Sequence, residues 1–243
     1  MADSRQELVQ RLFAGTGATY DSMVYFGTFG CDRSWKKKIL AKVPSTSTRV
    51  LDLACGTGIV TFDIAQRFPH CQVIGVDMTQ EYLDVAREKA KKLSITNVEF
   101  IHQRAEEVSF KEPFDCVTAS YLAKYADLKR LTRNVKGMLN ENGLFIMHDF
   151  TYPDNPLIAS LWEFYFKLLQ KAGTPFCPQW RTVFYELPQV VRNTSWLPDL
   201  VDSLREGGFK RISVERMLVG SAAIVIGRNE RPKDPDPAES LQG

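Results

Sequence analysis

Residues 49–61 read RVLDLACGTGIVT, and the fold of the chain turns on this run. Val50, Leu51, Leu53 and Ala54 suit a strand, Gly56, Thr57 and Gly58 suit a tight turn, and Ile59, Val60, Phe62, Ile64 and Ala65 then recur at helical spacing. A strand that passes this abruptly into a helix needs residues free to take positive φ, and a ligand can lie against such a backbone. The unpaired N–H groups of the first helical turn point into the same space. The stretch therefore predicts a strand, a tight turn and a helix, with the turn built to hold a ligand.

The neighbouring residues narrow the ligand. A dinucleotide fingerprint, G-x-G-x-x-G, wants a third glycine or alanine for close helix packing, and this chain has Thr61 there. Asp52, inside the strand, is ill matched to a pyrophosphate. The next strand, residues 71–76, runs into Asp77, and a carboxylate at that strand tip is placed to accept both hydroxyls of a ribose. The pattern reads as a ribose without a pyrophosphate.

An acid, G-x-G, and a second acid closing the second strand together resemble the first motifs of the class I S-adenosylmethionine-dependent methyltransferases. The resemblance implies an α/β fold with a Rossmann-like, doubly wound seven-stranded sheet, mostly parallel with a terminal antiparallel hairpin and helices on both faces. It implies S-adenosyl-L-methionine as cofactor, with Asp52 favouring the cationic methionine end, Gly56 and Gly58 admitting it close to the backbone, Thr61 in the same group, and Asp77 gripping the ribose. Upstream, Phe13, Tyr20, Asp21, Gly27 or Gly30, Trp35 and Lys36 follow an order similar to the opening of the ubiquinone/menaquinone biosynthesis C-methyltransferases. In that family the segment folds over the cofactor, so residues 1–44 are expected to form a cap that Tyr20 and Asp21 help to close. The triplet Lys36, Lys37 and Lys38 reads as a solvated helix face.

Further along, apolar residues at 82, 83, 86, 90 and 93 predict a helix over 80–93, with Met78 and Tyr82 near an adenine. Strands are expected at 98–102, 114–120 and 144–147, and a helix at 128–139 closed by Asn140, Asn142 and Gly143. Arg104, followed by Ala105, stands where the family usually has an Asp or Asn for the adenine amino group, and arginine has no acceptor to offer. Backbone recognition there, or Glu106, is expected to substitute. Ser120 ends the fourth strand beside the cofactor. After it the family reads G-[LI]-R-N-V, whereas this chain has YLAKYADL, with Lys124 for the arginine and Tyr125 for the asparagine. The fifth strand ends in His148, Asp149 and Phe150 before Pro153, and the histidine is an addition to the family pattern.

Residues 151–197 crowd aromatic side chains together, among them Trp162, Phe164, Tyr165, Phe166, Trp180 and Phe184. This insertion reads as a substrate lid over a hydrophobic acceptor, with Tyr121, Tyr125, Tyr152, Trp162, Tyr165 and Trp180 as substrate contacts. A helix from 197 to 207, with Pro198 at its start, and two strands at 209–216 and 222–228 complete a single domain of residues 1–228. Residues 229–243 read as a charged, proline-rich, disordered tail.

With 243 residues, 44% hydrophobic and 25% charged, the chain can bury one sizeable core. A net charge of +2 and no basic stripe give no reason to expect nucleic acid. The five cysteines form no C-x-x-C pair, which suggests neither a metal site nor a disulfide framework and fits a reducing, cytoplasmic setting. No apolar run approaches the ~18 residues of a membrane span. A peripheral membrane contact and a homodimer stay open.

Methyl transfer from a sulfonium depends on positioning and desolvation, and an aromatic carbon becomes a good nucleophile once its ring hydroxyl ionises. His148 is therefore the first candidate base, against a purely structural role, and Asp149 acting through water the second. Lys124 is the candidate for stabilising a phenolate, and Tyr20, Tyr121 and Tyr165 for orienting the ring. The reading is C-methylation of a prenylated quinol. O- or N-methylation of another phenolic or lipid-like acceptor, and a cofactor-binding subunit without turnover, are the alternatives.

Overall fold

Strand β1 (Arg49–Leu53) is buried on both faces, as its nearly continuous apolar run requires. In the computed structural model, which describes residues 4–230, it pairs in parallel with β2 (Gln72–Asp77) on one side and β4 (Phe114–Ser120) on the other. With β3 (Val98–His102), β5 (Leu139–Phe150), β6 (Lys210–Met217) and β7 (Ala222–Arg228), the sheet has seven strands in the order β3-β2-β1-β4-β5-β7-β6. β7 runs antiparallel to both β5 and β6, and the other pairings are parallel. Chain order reverses between β1 and β4, so a crevice opens beyond the carboxyl ends of those two strands. That crevice holds the site.

Alternation along the strands sorts the helices into two layers. Leu51, Leu53, Phe145 and Met147 face α6 (Leu128–Met138) and α10 (Trp196–Glu206). Val50, Ile146 and Ile224 face α3 (Cys31–Lys42) and α4 (Ile59–Arg67). The helix α5 (Gln80–Lys92) lies against β2 and β3. A third apolar cluster, built on Leu12, Tyr125, Trp180, Val183 and Phe184, sits apart from these two. It joins the cap helices α1 (Ser4–Phe13) and α2 (Tyr20–Gly27) to the 151–197 insertion, which folds as α7 (Pro156–Leu168), a π turn (Leu169–Gly173), the single turn α8 (Thr174–Phe176) and α9 (Arg181–Asn193).

Two boundaries differ from the sequence reading. β5 begins at Leu139, well before the expected start, because the presumed helix stop at 140–143 is a bulge carried inside the strand. Asn142 takes φ 63° there, and its N–H is bonded to the carbonyl of Asn229 at 2.7 Å. Asn229 in turn donates to the carbonyls of Leu139 and Asn140, and Glu230 pairs with Arg211 at 2.7 Å. These two residues are thus tied to β5 and β6 rather than forming part of a disordered tail, and the rest of that expected tail, 231–243, lies outside the described residues. Among the described residues no helix is long and apolar enough to cross a membrane.

Candidate active site

The turn after β1 is built as its residues suggest. Ala54, Gly56 and Gly58 all have positive φ (53°, 56° and 87°), and the N–H of Gly58 closes the turn onto the carbonyl of Cys55 at 2.9 Å. The two glycines serve different ends. Gly56 lines the cleft, and its N–H donates to Asp77 at 2.8 Å. Gly58 lines none of the cavities; a Cβ there would sit 2.6 Å from the ring of Phe62, so it secures the turn and the helix start.

Asp77 and Asp52 are both buried, and both are held by donors from the protein. The other Asp77 oxygen accepts the N–H of Thr79 at 2.8 Å. Burial raises the pKa of Asp77, and these backbone bonds oppose the shift. Asp52 accepts hydroxyl bonds from Thr61 at 2.7 Å and Thr118 at 2.8 Å. Its carboxyl is pushed up to about 6 by burial, against the pull of those hydroxyls and of Lys36. Thr61, fully buried beneath Asp52, is thus placed to orient that carboxylate and lines no part of the cleft itself.

Lys36 is the residue the sequence reading misplaced. It is only 4% exposed, ion-paired with the buried Asp32 at 2.8 Å, and it lines the end of the cleft next to Asp52 and Thr57. Asp32 and Lys36 lie one turn apart on α3, a spacing that joins them on one face, and the adjoining Trp35 buries that face in the core. Lys37 and Lys38 do stand in solvent. The other oxygen of Asp32 accepts the hydroxyl of Tyr121 at 2.7 Å. Tyr121 has φ 63°, an uncommon conformation for a bulky residue, and its ring stacks on Phe150 at 4.7 Å.

At the opposite end, Met78, Tyr82, Arg104, Ala105 and Glu106 line the same cleft. Glu106 is 8% exposed, and the Arg104 guanidinium lies 3.8 Å from it. Gln103, which the sequence gave no reason to select, joins them and bonds its N–H to the carbonyl of Asp77. Tyr20 roofs the middle, with its ring 5.0 Å from that of Tyr82 and its hydroxyl pKa raised by burial. The cap is tied down by Glu81, which accepts the N–H groups of Gly15 and Gly17, and by Asp21, which accepts from Thr57 and Lys89 at 2.5 Å each.

Across Phe13, Tyr20, Tyr121 and Tyr125 the cleft adjoins an apolar inner chamber walled by Met23, Phe150, Phe166, Trp180, Val183 and Phe184. Its one charged lining residue is Lys124, whose ammonium is ion-paired with the buried Asp149 at 2.5 Å. Burial lowers the Lys124 pKa and Asp149 opposes that shift. The Tyr125 hydroxyl is buried without a partner in this wall.

His148 and Asp149, successive in β5, face opposite sides of the strand, and both are fully buried. The His148 ring is fully buried against Trp35 and Tyr121, with Nδ1 3.4 Å from the Ser120 hydroxyl and Nε2 without a partner. Burial, with Lys36 and Lys124 nearby, pushes its pKa down to about 3. Its ring lines neither the cleft nor the two chambers beside it, whereas Ser120 lines the cleft. Among the lid residues, Trp180 reaches the inner chamber, but Trp162 and Tyr165 line a separate outer one, and Tyr152 is turned to Glu163 at 2.7 Å.

The cleft fits S-adenosylmethionine chemically. A buried cation and a buried anion at one end suit a zwitterionic amino acid, a strand-tip carboxylate suits a ribose, and a tyrosine, a methionine and an acceptor carboxylate suit an adenine. Comparison with known proteins agrees. The chain is 28% identical over 236 residues to a demethylmenaquinone methyltransferase of Lactiplantibacillus plantarum, covering 95% of this chain and 99% of that one. It is 29% identical over 237 residues to a ubiquinone/menaquinone biosynthesis C-methyltransferase of Francisella tularensis subsp. novicida, covering 93% and 92%. The fold is similar to that of phosphoethanolamine N-methyltransferase 2 from Haemonchus contortus in complex with S-adenosyl-L-methionine, with TM-score 0.68 and 17% identity over 95% of this chain and 61% of that one. The ubiE/COQ5 methyltransferase family matches residues 1–229. The chain belongs to that family and is an S-adenosylmethionine-dependent methyltransferase.

Proposed function

We propose that this methyltransferase C-methylates the ring of a prenylated quinol, with the ring held in the inner chamber. The observation that carries the reading is the Lys124–Asp149 pair, a lone charged group in an otherwise apolar wall beside the buried, unpartnered hydroxyl of Tyr125. A quinol needs this combination: apolar walls for the ring and a polar spot for one hydroxyl.

Bound S-adenosylmethionine supplies a methyl group on a sulfonium. Around it, Asp52 accepts from the amino group, Lys36 pairs with the carboxylate, Asp77 accepts the ribose hydroxyls and Glu106 accepts from the adenine amino group. Tyr20 and Tyr121 exclude water where cleft and chamber meet. In the acceptor, the Lys124 ammonium and the Tyr125 hydroxyl stabilise the oxygen as its proton leaves, which raises the electron density of the ring carbon. Transfer of that methyl would form a carbon–methyl bond at the ring as the bond to the sulfonium breaks, and the phenolic and ring-carbon protons would both pass to solvent water. His148, walled off and neutral, acts as packing that positions Tyr121 rather than as the base.

Calorimetric titration with S-adenosylmethionine, followed by methyl transfer to a demethylated prenylated quinol and NMR of the product, tests this. A new carbon–methyl signal supports it. A methyl ether product, or binding without turnover on any quinol, would overturn it.

A further inference from the structure

Behind the inner chamber lies a larger one. The outer chamber, about 300 Å³ against about 90 Å³ for the inner, shares Gly27, Thr28, Phe150, Phe166 and Leu187 with it as a common wall. Its remaining lining includes Trp35, Ile158, Leu161, Trp162 and Val191. Three hydroxyl residues line the outer chamber, and two of them are committed, Thr28 to the carbonyl of Val24 at 2.7 Å and Tyr165 to that of Gly27 at 2.6 Å, leaving only Ser221. A polar headgroup would find little to bond there.

A second observation comes from the rim. Phe29, Leu218 and Val219 line the outer chamber and are exposed by 79%, 51% and 66%. All three have positive φ (51°, 44° and 53°). Turns with positive φ at successive positions ordinarily carry asparagine or glycine, and a β-branched residue there is a steric outlier. Here leucine and valine occupy the reversal between β6 and β7, so the backbone is strained where apolar side chains are presented to the outside.

We propose that the outer chamber takes the hydrocarbon tail of the acceptor, with Phe29, Leu218 and Val219 forming the lip through which the tail passes. The ring then lies against the cofactor, the tail runs past Phe150 and Phe166, and Trp162 and Tyr165 contact the tail rather than the ring. This rests on the quinol reading above and adds the basis for selecting acceptors by tail.

The test compares one quinone ring with no tail and with tails of increasing isoprenoid length, on the full chain with S-adenosylmethionine present. Binding is followed by quenching of tryptophan fluorescence, since Trp35 and Trp162 line the chamber, and turnover by methyl transfer to the reduced ring. Affinity and kcat/KM should rise at least about tenfold from the tailless ring to the long-tailed one, as burial of added methylenes requires. Leu161→Trp, which fills the chamber from an exposed position, and Val219→Asp, at the lip, should each abolish that gain while leaving the tailless ring and cofactor binding unchanged. No gain in the parent protein, or a gain that survives both variants, overturns the proposal. Tail-dependent quenching that the variants abolish, but without turnover of any ring, would uphold the chamber and overturn the quinol-methylation reading instead.

Discussion

The cofactor cleft and the inner chamber share four aromatic walls and are built on different principles. In the cleft, the two main acids are fixed by donors on the strands and βα turns: Asp77 by the N–H groups of Gly56 and Thr79, Asp52 by the hydroxyls of Thr61 and Thr118. In the chamber, side chains from α1, α2, α9 and the loop after β4 meet over long sequence separations, and a single ion pair supplies the charge. The first is pre-organised by secondary structure and serves one invariant ligand. The second is set mainly by packing between helices, with β5 contributing only Phe150 and the buried partner Asp149.

The largest effect should come from breaking the chamber's ion pair. Lys124→Met leaves Asp149 buried and unpaired, which should destabilise the fold by about 3–5 kcal/mol. Adding Asp149→Asn removes the stranded charge and should recover most of that loss in a denaturant titration, because burial already disfavours the ammonium. Turnover should stay low in both variants, with cofactor affinity in the double variant near that of the parent. A double variant with recovered turnover would reduce Lys124 to a structural role and erase the contrast between the two regions.

His148 separates packing from chemistry through pH. The unfolded imidazole takes a proton near pH 6.5, whereas the folded one stays neutral down to about 3. Between those values the unfolded state binds the extra proton, so stability contributed by this residue is present above about 6.5 and falls as pH drops toward 3. Asp52 acts oppositely: its folded carboxyl holds a proton up to about 6 against an ordinary 3.8, so its contribution weakens as pH rises across that window. Thermal unfolding of His148→Asn should therefore show a shallower acid loss than the parent. A pH–rate profile in which His148→Asn removes a limb near neutrality would reinstate the histidine as a base.

The cleft can be weakened without disturbing the chamber. Asp77→Ala should cost about 1.5–3 kcal/mol of cofactor affinity by calorimetry, the range for hydrogen bonds to a charged group. The variant should also unfold at lower temperature, since two backbone N–H groups lose their acceptor. Affinity equal to the parent's would remove Asp77 from the ribose.

The contrast also explains which parts were legible in the sequence. The glycine turn and the strand-tip acids follow from local patterns of period two, period 3.6 and positive φ, whereas the seven-stranded sheet was implied by the resemblance those residues carry. Lys36 was not legible as a buried group, because three consecutive lysines read as a solvated face until Trp35 and Asp32 are seen to turn the first of them inward. Trp162 and Tyr165 stand only a few residues from Phe166, yet Phe166 reaches both chambers and they reach one. Aromatic composition pointed to an apolar insertion, but the division of its packing into two chambers depends on long-range neighbours such as Phe150, Gly27 and Leu187. His148 shows the same limit from the other side: its position at a strand tip suggested a base, and its burial against Trp35 and Tyr121 could not be read from the sequence.

Tyr125→Phe should have the smallest effect and discriminate most finely between the two regions. The change removes one oxygen that is buried without a partner in the free protein, so stability should hold or rise, since a desolvated hydroxyl with no bond is a cost. The ring itself, packed in the cluster with Leu12 and Trp180, is retained. If the hydroxyl bonds the acceptor oxygen, kcat/KM should fall by the worth of one hydrogen bond, about 0.5–1.5 kcal/mol, while cofactor affinity stays put. Because Tyr125 lines the cleft as well as the chamber, a loss of cofactor affinity with unchanged kcat would move it to the other side of the shared wall.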